Sequence, residues 1–308
     1  MRMRTLGTLE VSVVGLGCNN FGRRVDQTGT RAVVDAALDA GVNFFDTAES
    51  YGGGGQSETF LGEALRGRRE QAVLATKFGG GGEVGYGKGS REQIRSALEG
   101  SLQRLQTDHI DLYQHHQEDP ETPLAETVAA LDDLVREGKI RAYGTSNYSA
   151  AEVEKAAALA QEAYVSEQSE YSWLTREAER ELLPICARLG LGFIPYFPLA
   201  NGLLTGKYRR GQPAPEGTRL HGREISQDEY DRLEALEAFA RERGVSILDV
   251  AIGGLAAQSP VVSVIAGATR PEQVRANAAA DWEPTPDDLT ALRSLGCARS
   301  EVVPVNQA

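Results

Sequence analysis

Short, nearly continuous apolar runs alternate along the chain with longer segments whose apolar residues recur at helical spacing. The runs are "VSVVGLG" (11–17), "VNFFDTA" (42–48), "AVLATKF" (72–78), "HIDLYQHH" (109–116), "IRAYGTSN" (140–147), "AYVSEQSEY" (163–171), "GFIPYFPL" (192–199) and "VVSVIAGA" (261–268). Runs of this length and character suit strands buried on both faces. The segments between them read as helices with defined ends. "TRAVVDAALDAG" stops at Gly41, and "SREQIRSALEGSLQRLQ" opens with Ser90 and places Gln93 three residues on, a capping-box pattern. "PLAETVAALDDLVREGK" has Pro123 at its first turn and Gly138 at its end. "TREAERELLPICARLG" and "SQDEYDRLEALEAFARERG" follow the same plan, with Pro184 expected to kink the former.

Seven of the eight runs succeed one another at the spacing of a βαβ unit. The gap before the last is longer and has room for the loop "ANGLLTGKYRRGQPAPEGTRLHGRE" and extra helices. The opening "RTLGTLEVS" reads as a hairpin with Gly7-Thr8 near its turn, and "TPDDLTALRSLG" as a final helix. The predicted fold is therefore α/β: a (β/α)8 TIM barrel with an N-terminal hairpin cap and extra C-terminal helices, one domain over 1–308. The rival is an open doubly wound sheet. It calls for G-x-G-x-x-G after the first strand, a spacing that "GLGCNNFG" does not match.

Composition narrows the partners. With 41% hydrophobic and 25% charged residues the chain is ordinary globular material, able to bury a large core. A net charge of −12 argues against nucleic acid and anionic membranes, so an anionic ligand needs a local positive pocket. The three cysteines, Cys18, Cys186 and Cys297, form no C-x-x-C pair, which suits a reducing cytoplasm and no cysteine-based metal site. Neither a signal peptide nor a membrane-spanning run is expected.

In a barrel the C-terminal ends of the strands share one face. There the eight runs would gather Asp46 with Tyr51 in its loop, then Lys77, the His115-His116 pair, Ser146-Asn147, Gln168, Tyr196 and the "AGATR" end. Alternation along a strand sends one of the two histidines inward and the other toward the helices. An ammonium near a phenol favours the phenolate and lowers its pKa, and a carboxylate holds that ammonium in place. An imidazole adds a hydrogen bond to a substrate oxygen. Such a set can protonate a carbonyl oxygen while hydride reaches its carbon.

The blocks "FFDTAESYG", "LATKF", "DLYQHH", "GKIRAYGTSNY", "FPLANGLLTGKY" and "IAGATRPEQVRAN" resemble, in order and across nearly the whole chain, the signature blocks of the aldo-keto reductases. The resemblance implies a catalytic tetrad of Asp46, Tyr51, Lys77 and His116, with His116 at the family position. It implies NADP(H), or alternatively NAD(H), bound on a barrel without the Rossmann glycine fingerprint, and a small aldehyde or ketone substrate. Gly17, Cys18, Asn19 and Asp46 would lie at the first loops of the cofactor site. Ser146, Asn147 and Gln168 would meet the carboxamide and Tyr196 the nicotinamide ring. Leu199, Lys207 and Arg219 would clamp the pyrophosphate. Gly267, Thr269, Arg270, Gln273 and Asn277 would hold the adenosine end, next to a helix N-terminus near Pro271. Three positions depart from the pattern. Phe197 stands where many members have serine, Ala276 replaces a common glutamate, and Arg270 lies one place after the usual basic residue.

Other readings compete at single positions. Asp46 alone would suit a helix N-cap, and Tyr51 a rim aromatic. "GGGGQSE" resembles a phosphate cradle but lacks the following G-K-[ST], which favours a turn. "FGGGGEVGYGKGS" is expected to be a rim loop shaping the substrate pocket, together with the first and seventh loops and the C-terminal tail. At the level of function, the chain also resembles the potassium-channel β subunits, which share this fold and similar "LANGLLTGKY"-like blocks, so a nucleotide-binding accessory subunit is the alternative. A phosphosugar lyase using Lys77 as a Schiff base is a third reading. A homo-oligomer is compatible with all three.

Overall fold

The computed structural model describes residues 1–80 and 88–295. The chain opens with an antiparallel pair, β1 (Met3–Leu6) and β2 (Leu9–Ser12), in register Met3↔Ser12 to Leu6↔Leu9. Each apolar run then supplies one parallel strand: β3 (Val14–Gly17), β4 (Phe44–Asp46), β5 (Val73–Phe78), β6 (Ile110–His115), β7 (Ile140–Ser146), β8 (Tyr164–Glu170), β9 (Gly192–Tyr196) and β10 (Val264–Gly267). Their spatial order is β10-β3-β4-β5-β6-β7-β8-β9. The two ends of that order meet where Phe193 N donates to Pro260 O and Val262 N to Phe193 O, both at 3.0 Å, closing the sheet into a (β/α)8 barrel.

Alternation along the strands builds two cores. Phe44, Ala75, Leu112, Ala142, Val165 and Ile194 point inward and pack with Leu6, Leu9 and Val11 of the hairpin. Phe45, Leu74, Tyr113, Tyr143 and Phe193 point outward into the helical layer. The hairpin is therefore a plug in the barrel floor, where each fully buried Leu, Val or Phe contributes about 1.5–3 kcal/mol. Gly7 makes its turn at φ +58°, and a Cβ there would stand 2.5 Å from Val165 Cγ1. With the floor filled by apolar residues, the polar strand ends are left to the mouth.

One strand breaks the alternation. Tyr143 pairs with Tyr164 but Gly144 with Ser166, so Val165 is an extra residue in β8. The bulge lets Val165 fill the floor and Gln168 still face inward higher up, while Glu167 turns out behind the wall. Period-two counting in "YVSEQSE" misses this.

The helices follow their sequence signals with two differences. Asp26, Ser90, Ser149, Ser226 and Ser246 all cap helices, but Ser90 makes only the outward half of the expected box, accepting from Gln93 N at 3.5 Å. Reciprocal boxes form at Ser149/Glu152, Ser226/Glu229 and Ser246/Asp249. Pro184 does not kink a long helix. The segment splits into a 3-10 turn (Glu177–Glu179) and a helix (Leu182–Leu189), with Pro184 in that helix's first turn, where its missing N–H has no intrahelical partner to lose. The expected additions after β9 are the helices Gln227–Glu242 and Ile247–Ala256, with Pro271–Ala279 and Pro286–Leu295 after β10. The rim loop of the third strand lies mostly outside the described residues, and so do Cys297 and the C-terminal tail.

Candidate active site

The mouth is organised around one buried ion pair. Lys77, the penultimate residue of β5, is wholly buried, and its ammonium donates to Asp46 Oδ1 at the end of β4. It also donates to Thr47 O at 3.1 Å and lies 3.5 Å from the Tyr51 hydroxyl. The second Asp46 oxygen accepts from Gln114 Nε2 (3.1 Å) and Gln168 Nε2 (2.9 Å), and Gln168 donates again to Gln114 Oε1 (3.1 Å). Both carboxylate oxygens are thus engaged, which a charge this deep requires. Asp46 is a strand residue of this network and not a helix N-cap.

Tyr51 reaches the ammonium because the chain doubles back after β4. Gly52, Gly53, Gly54 and Gly55 all have positive φ, from 76° to 93°. A Cβ at Gly52 would meet Phe21 O at 2.8 Å, and one at Gly55 would meet Arg104 Nε at 2.4 Å. The four glycines therefore make a turn whose ends, Gly52 and Gly55, are packed against neighbouring elements while Gly53 and Gly54 face open space, in keeping with the turn reading over a phosphate cradle.

The two histidines separate by strand parity. His115 points outward, is 1% exposed, stacks on Phe78 with centroids 4.7 Å apart and pairs with the Tyr148 hydroxyl at 2.8 Å. His116 points into the mouth and meets the Tyr51 ring edge-on at 5.8 Å. Its Nδ1 is buried against Gly80, where an added Cβ would stand 2.1 Å away.

Burial dominates the protonation states. It raises the Tyr51 pKa above the usual phenol value, and Lys77 pulls it back only in part. This corrects the expectation that the ammonium lowers it: desolvation of the phenolate is the larger effect. Burial also opposes the Lys77 charge, yet Asp46 and Tyr51 outweigh it and hold the ammonium above its ordinary value. Burial, then the Lys77 charge, pushes His116 down to about 3, and burial pushes His115 down to about 4. At neutral pH the mouth therefore presents a protonated phenol and a neutral imidazole, with the ion pair behind them.

From this point a cleft of about 1330 Å³ runs across the barrel mouth. Its walls include every sequence-predicted residue except Lys77, which lies beneath its surface. At the inner end stand Gly17, Cys18, Asn19, Ser146, Asn147, Gln168 and Tyr196. Asn147 is in the left-handed region at φ +60°. Its amide donates to His116 O (3.0 Å) and Ser146 Oγ (3.1 Å) and accepts from the Tyr196 hydroxyl (2.8 Å), so it braces the ends of three strands. Leu199 and Lys207 also line it, as do Gly267, which pairs with Gly17 across the β3–β10 ladder, Thr269, Arg270, Gln273 and Asn277. Gln273 Oε1 accepts from Thr269 N at 2.8 Å and fixes that loop.

Arg219 spans the opening. It donates to Asn20 Oδ1 at 3.2 Å on one wall and Asn201 Oδ1 at 3.3 Å on the other, and lies 5.5 Å from the Phe197 ring. Phe197, where a serine was the usual residue, has φ +53° and supports this guanidinium. The cleft also includes Asn20, Arg24, Gln117 and Asn201, which sequence reasoning missed. The polar "CNN" and "FGRR" residues after β3 carried the only signal for Asn20 and Arg24.

A dinucleotide fits this donor set. Among the described residues, Arg24, Lys207, Arg219 and Arg270 line the cleft against only Asp46 and Glu216, and Asp46 is already neutralised by Lys77. That gives an acidic chain the local positive field an anion needs. Arg270 also forms the N-cap of Pro271–Ala279 without capping it through its side chain. Among the described residues no group of three or more His, Cys, Asp or Glu could hold a metal ion, and no helix is long and apolar enough to cross a membrane.

Known proteins are similar to this chain over nearly its full length. The chain is 37% identical over 297 residues, 90% of each sequence, to a probable voltage-gated potassium channel subunit beta of Oryza sativa subsp. japonica. It is 39% identical to the uncharacterized oxidoreductase YrpG of Bacillus subtilis (strain 168), over 87% of this chain and 86% of that one. The solved aldo-keto reductase AKR11C1 from Bacillus halodurans, in its holo form, superposes with a TM-score of 0.81 at 34% identity, covering 98% of both chains. The sequence profile of the aldo/keto reductase family matches residues 13–295, and this chain is an oxidoreductase belonging to that family.

Proposed function

We propose that the protein reduces aldehydes or ketones to alcohols with NADP(H), and that Tyr51 is the general acid. The observation that carries the reading is the Tyr51 hydroxyl, held 3.5 Å from a fully buried ammonium and beside a neutral imidazole. A bound reduced nicotinamide supplies the hydride. Ser146, Asn147 and Gln168 would hold its carboxamide and Tyr196 its ring face. Leu199, Lys207 and Arg219 would hold the pyrophosphate, with Gly17, Cys18 and Asn19 forming the near wall. Gly267, Thr269, Arg270, Gln273 and Asn277 would take the adenosine end.

The protein's own part is positioning and proton transfer. The carbonyl oxygen accepts from Tyr51 and from His116 Nε2–H. Burial keeps Tyr51 protonated and therefore available as an acid. As negative charge grows on the carbonyl oxygen, the Tyr51 proton moves to it, and the phenolate left behind is stabilised by Lys77. Asp46 keeps Lys77 charged and in place.

The test is consumption of NADPH against NADH over a panel of aldehydes and ketones, followed by the near-ultraviolet absorbance of the reduced cofactor. Tyr51→Phe should lower turnover by about 10²–10⁴-fold while NADPH binding stays within about twofold. Equal loss of binding and turnover would make Tyr51 structural. The Oryza sativa relative named as a probable channel subunit favours a second reading, a nucleotide-binding accessory subunit. Tight nucleotide binding without turnover across the panel would select it.

A further inference from the structure

Behind the barrel wall lies a second polar cluster, offset by one residue from the first. His115 adjoins His116, Thr145 adjoins Ser146, Tyr148 adjoins Asn147, and Glu167 adjoins Gln168. In each pair one member lines the cleft and the other is buried on the helical side. Glu167, wholly buried, is the centre of the outer set. Its Oε2 accepts from Thr145 Oγ1 at 2.6 Å, and its Oε1 accepts from Ser169 Oγ at 2.7 Å and Tyr148 N at 3.3 Å. Thr145 Oγ1 is in turn 2.8 Å from the Tyr164 hydroxyl, and the Tyr148 hydroxyl is 2.8 Å from His115 Nδ1.

The carboxylate has no cationic partner in this cluster, and what it holds is a backbone turn. Asn147 sits at φ +60°, in the left-handed region that a non-glycine residue enters with strain unless its surroundings impose it. The turn is pinned on both sides: Asn147 N donates to Gln168 O at 3.0 Å, and the next amide, Tyr148 N, donates to the Glu167 carboxylate. Asn147 thereby presents the amide that joins His116, Ser146 and Tyr196 at the inner end of the cleft. The β8 bulge puts Glu167 behind the wall at this level.

We propose that Glu167 is a positioning residue whose ionised carboxylate fixes the Asn147 turn and so sets nucleotide affinity from behind the barrel wall. The proposal rests on the nucleotide reading of the cleft. The ionised form is the one that accepts from the Tyr148 amide, Thr145 and Ser169 together. The titratable groups near Glu167 are Tyr148, Tyr164 and Cys186, with Tyr196 through the wall. Burial raises the pKa of each, so none supplies a countercharge at neutral pH. Burial likewise pushes Glu167 up to about 7, against the pull of its donors, so the two forms exchange in an accessible range.

The experiment measures the Kd for NADP⁺ by calorimetry in the wild-type chain and in Glu167→Gln, from about pH 5.5 to 8.5. The nucleotide's own titration is common to both proteins and cancels in the ratio of their Kd values. That ratio should be roughly 10 at the alkaline end, where the wild-type carboxylate is ionised. It should fall toward 1 at the acid end, where the protonated carboxyl resembles the amide. A ratio near 1 throughout, or a loss that does not change with pH, overturns the proposal. Thr145→Val guards against a misfolded Gln variant. Removing one donor to the ionised form raises the carboxyl pKa, so this variant should bind more weakly than wild type only around neutrality, by about threefold, and match it at both extremes. Equal binding at every pH, or a uniform loss, again overturns the proposal. Failure of the wild-type chain to bind NADP⁺ or NAD⁺ would instead defeat the nucleotide reading itself.

Discussion

Lys77→Met should destabilise the fold by about 3 kcal/mol at neutral pH, and Asp46→Asn in the same chain should give much of that back. The first substitution leaves a carboxylate 2% exposed with no countercharge. Breaking a buried pair from one side typically costs about 3–5 kcal/mol. Two facts favour the lower end. The donors from Gln114 and Gln168, at 3.1 and 2.9 Å, remain in place. The orphaned group can also take a proton, and lifting a carboxyl from its ordinary value of about 3.9 to neutrality costs about 4 kcal/mol, which caps the penalty. Asp46→Asn alone leaves the ammonium with Thr47 O at 3.1 Å and the Tyr51 hydroxyl at 3.5 Å, and should cost about 4 kcal/mol. The double variant has no buried charge and should lose only about 1 kcal/mol, so the coupling between the two sites should be about 6 kcal/mol. Urea unfolding of the four proteins, followed by circular dichroism, measures it. The Lys77→Met deficit should also shrink on acidification. Its native carboxyl would bind a proton that the unfolded chain has released, so its stability falls as pH rises through that window. Additivity within about 0.5 kcal/mol, or a deficit independent of pH, would refute the account of Asp46 and Lys77 as a charged, coupled pair.

Gly80→Ala should disturb His116 alone, since the new Cβ would stand 2.1 Å from Nδ1. Carbonyl reduction should fall at least tenfold while NADPH affinity, by calorimetry, holds; unchanged turnover would remove His116 from the site. His115→Phe should preserve the stacking on Phe78 and lose only the 2.8 Å bond with Tyr148, costing about 1 kcal/mol in urea unfolding and leaving turnover within about twofold. A severe loss of activity would exchange the roles of the two histidines. Both histidines are depressed below the ordinary value of about 6.5, so the unfolded chain binds protons there that the native chain refuses, and their stabilisation is lost as pH falls below 6.5. Glu167, raised to about 7, acts in the opposite sense between its ordinary value and neutrality. His115→Phe should therefore flatten the acid branch of the stability profile by about 1.4 kcal/mol per pH unit, down to about pH 4.

Much of this arrangement is legible in the sequence, and the limits of legibility are physical. The eight strands were readable because a parallel strand buried on both faces is mostly apolar: Val73–Phe78 and Ile110–His115 are buried at every position, and their polar residues, Asp111 apart, gather toward the C-terminal end. The polar residues of the mouth were readable because each interrupts such a run near its end. Parity then determines that one of two adjacent histidines faces inward, but choosing His116 required either the family pattern or the observed position of Gln114, two residues before it and bonded to Asp46. The β8 bulge was hidden because an extra residue leaves no compositional trace in "YVSEQSE". Asn20, Arg24 and Asn201 were missed for a different reason. They lie outside the strands and long helices, Asn201 in the 3-10 segment Ala200–Thr205, and only the closure of the barrel brings the chain near position 20 to within hydrogen-bonding distance of Arg219.

The corrected protonation of Tyr51 changes how the candidate chemistry divides its work. Had the ammonium dominated, the phenol would sit partly ionised and be spent as a donor before any carbonyl arrived. Burial prevents that: of the four tetrad groups, Tyr51 and His116 are neutral, and the charges of Asp46 and Lys77 are almost wholly buried. A neutral carbonyl therefore meets neutral donors and gains little from the ammonium in the ground state. On the proposed reading, the Lys77 charge acts only once negative charge reaches the phenol oxygen, 3.5 Å away, in surroundings that screen it poorly. Stabilisation confined to that moment lowers the barrier without tightening substrate binding, which is the condition for raising turnover. The buried ion pair and its two glutamine donors are then a preorganised field: they fix a charge where water would otherwise have to reorganise to supply one.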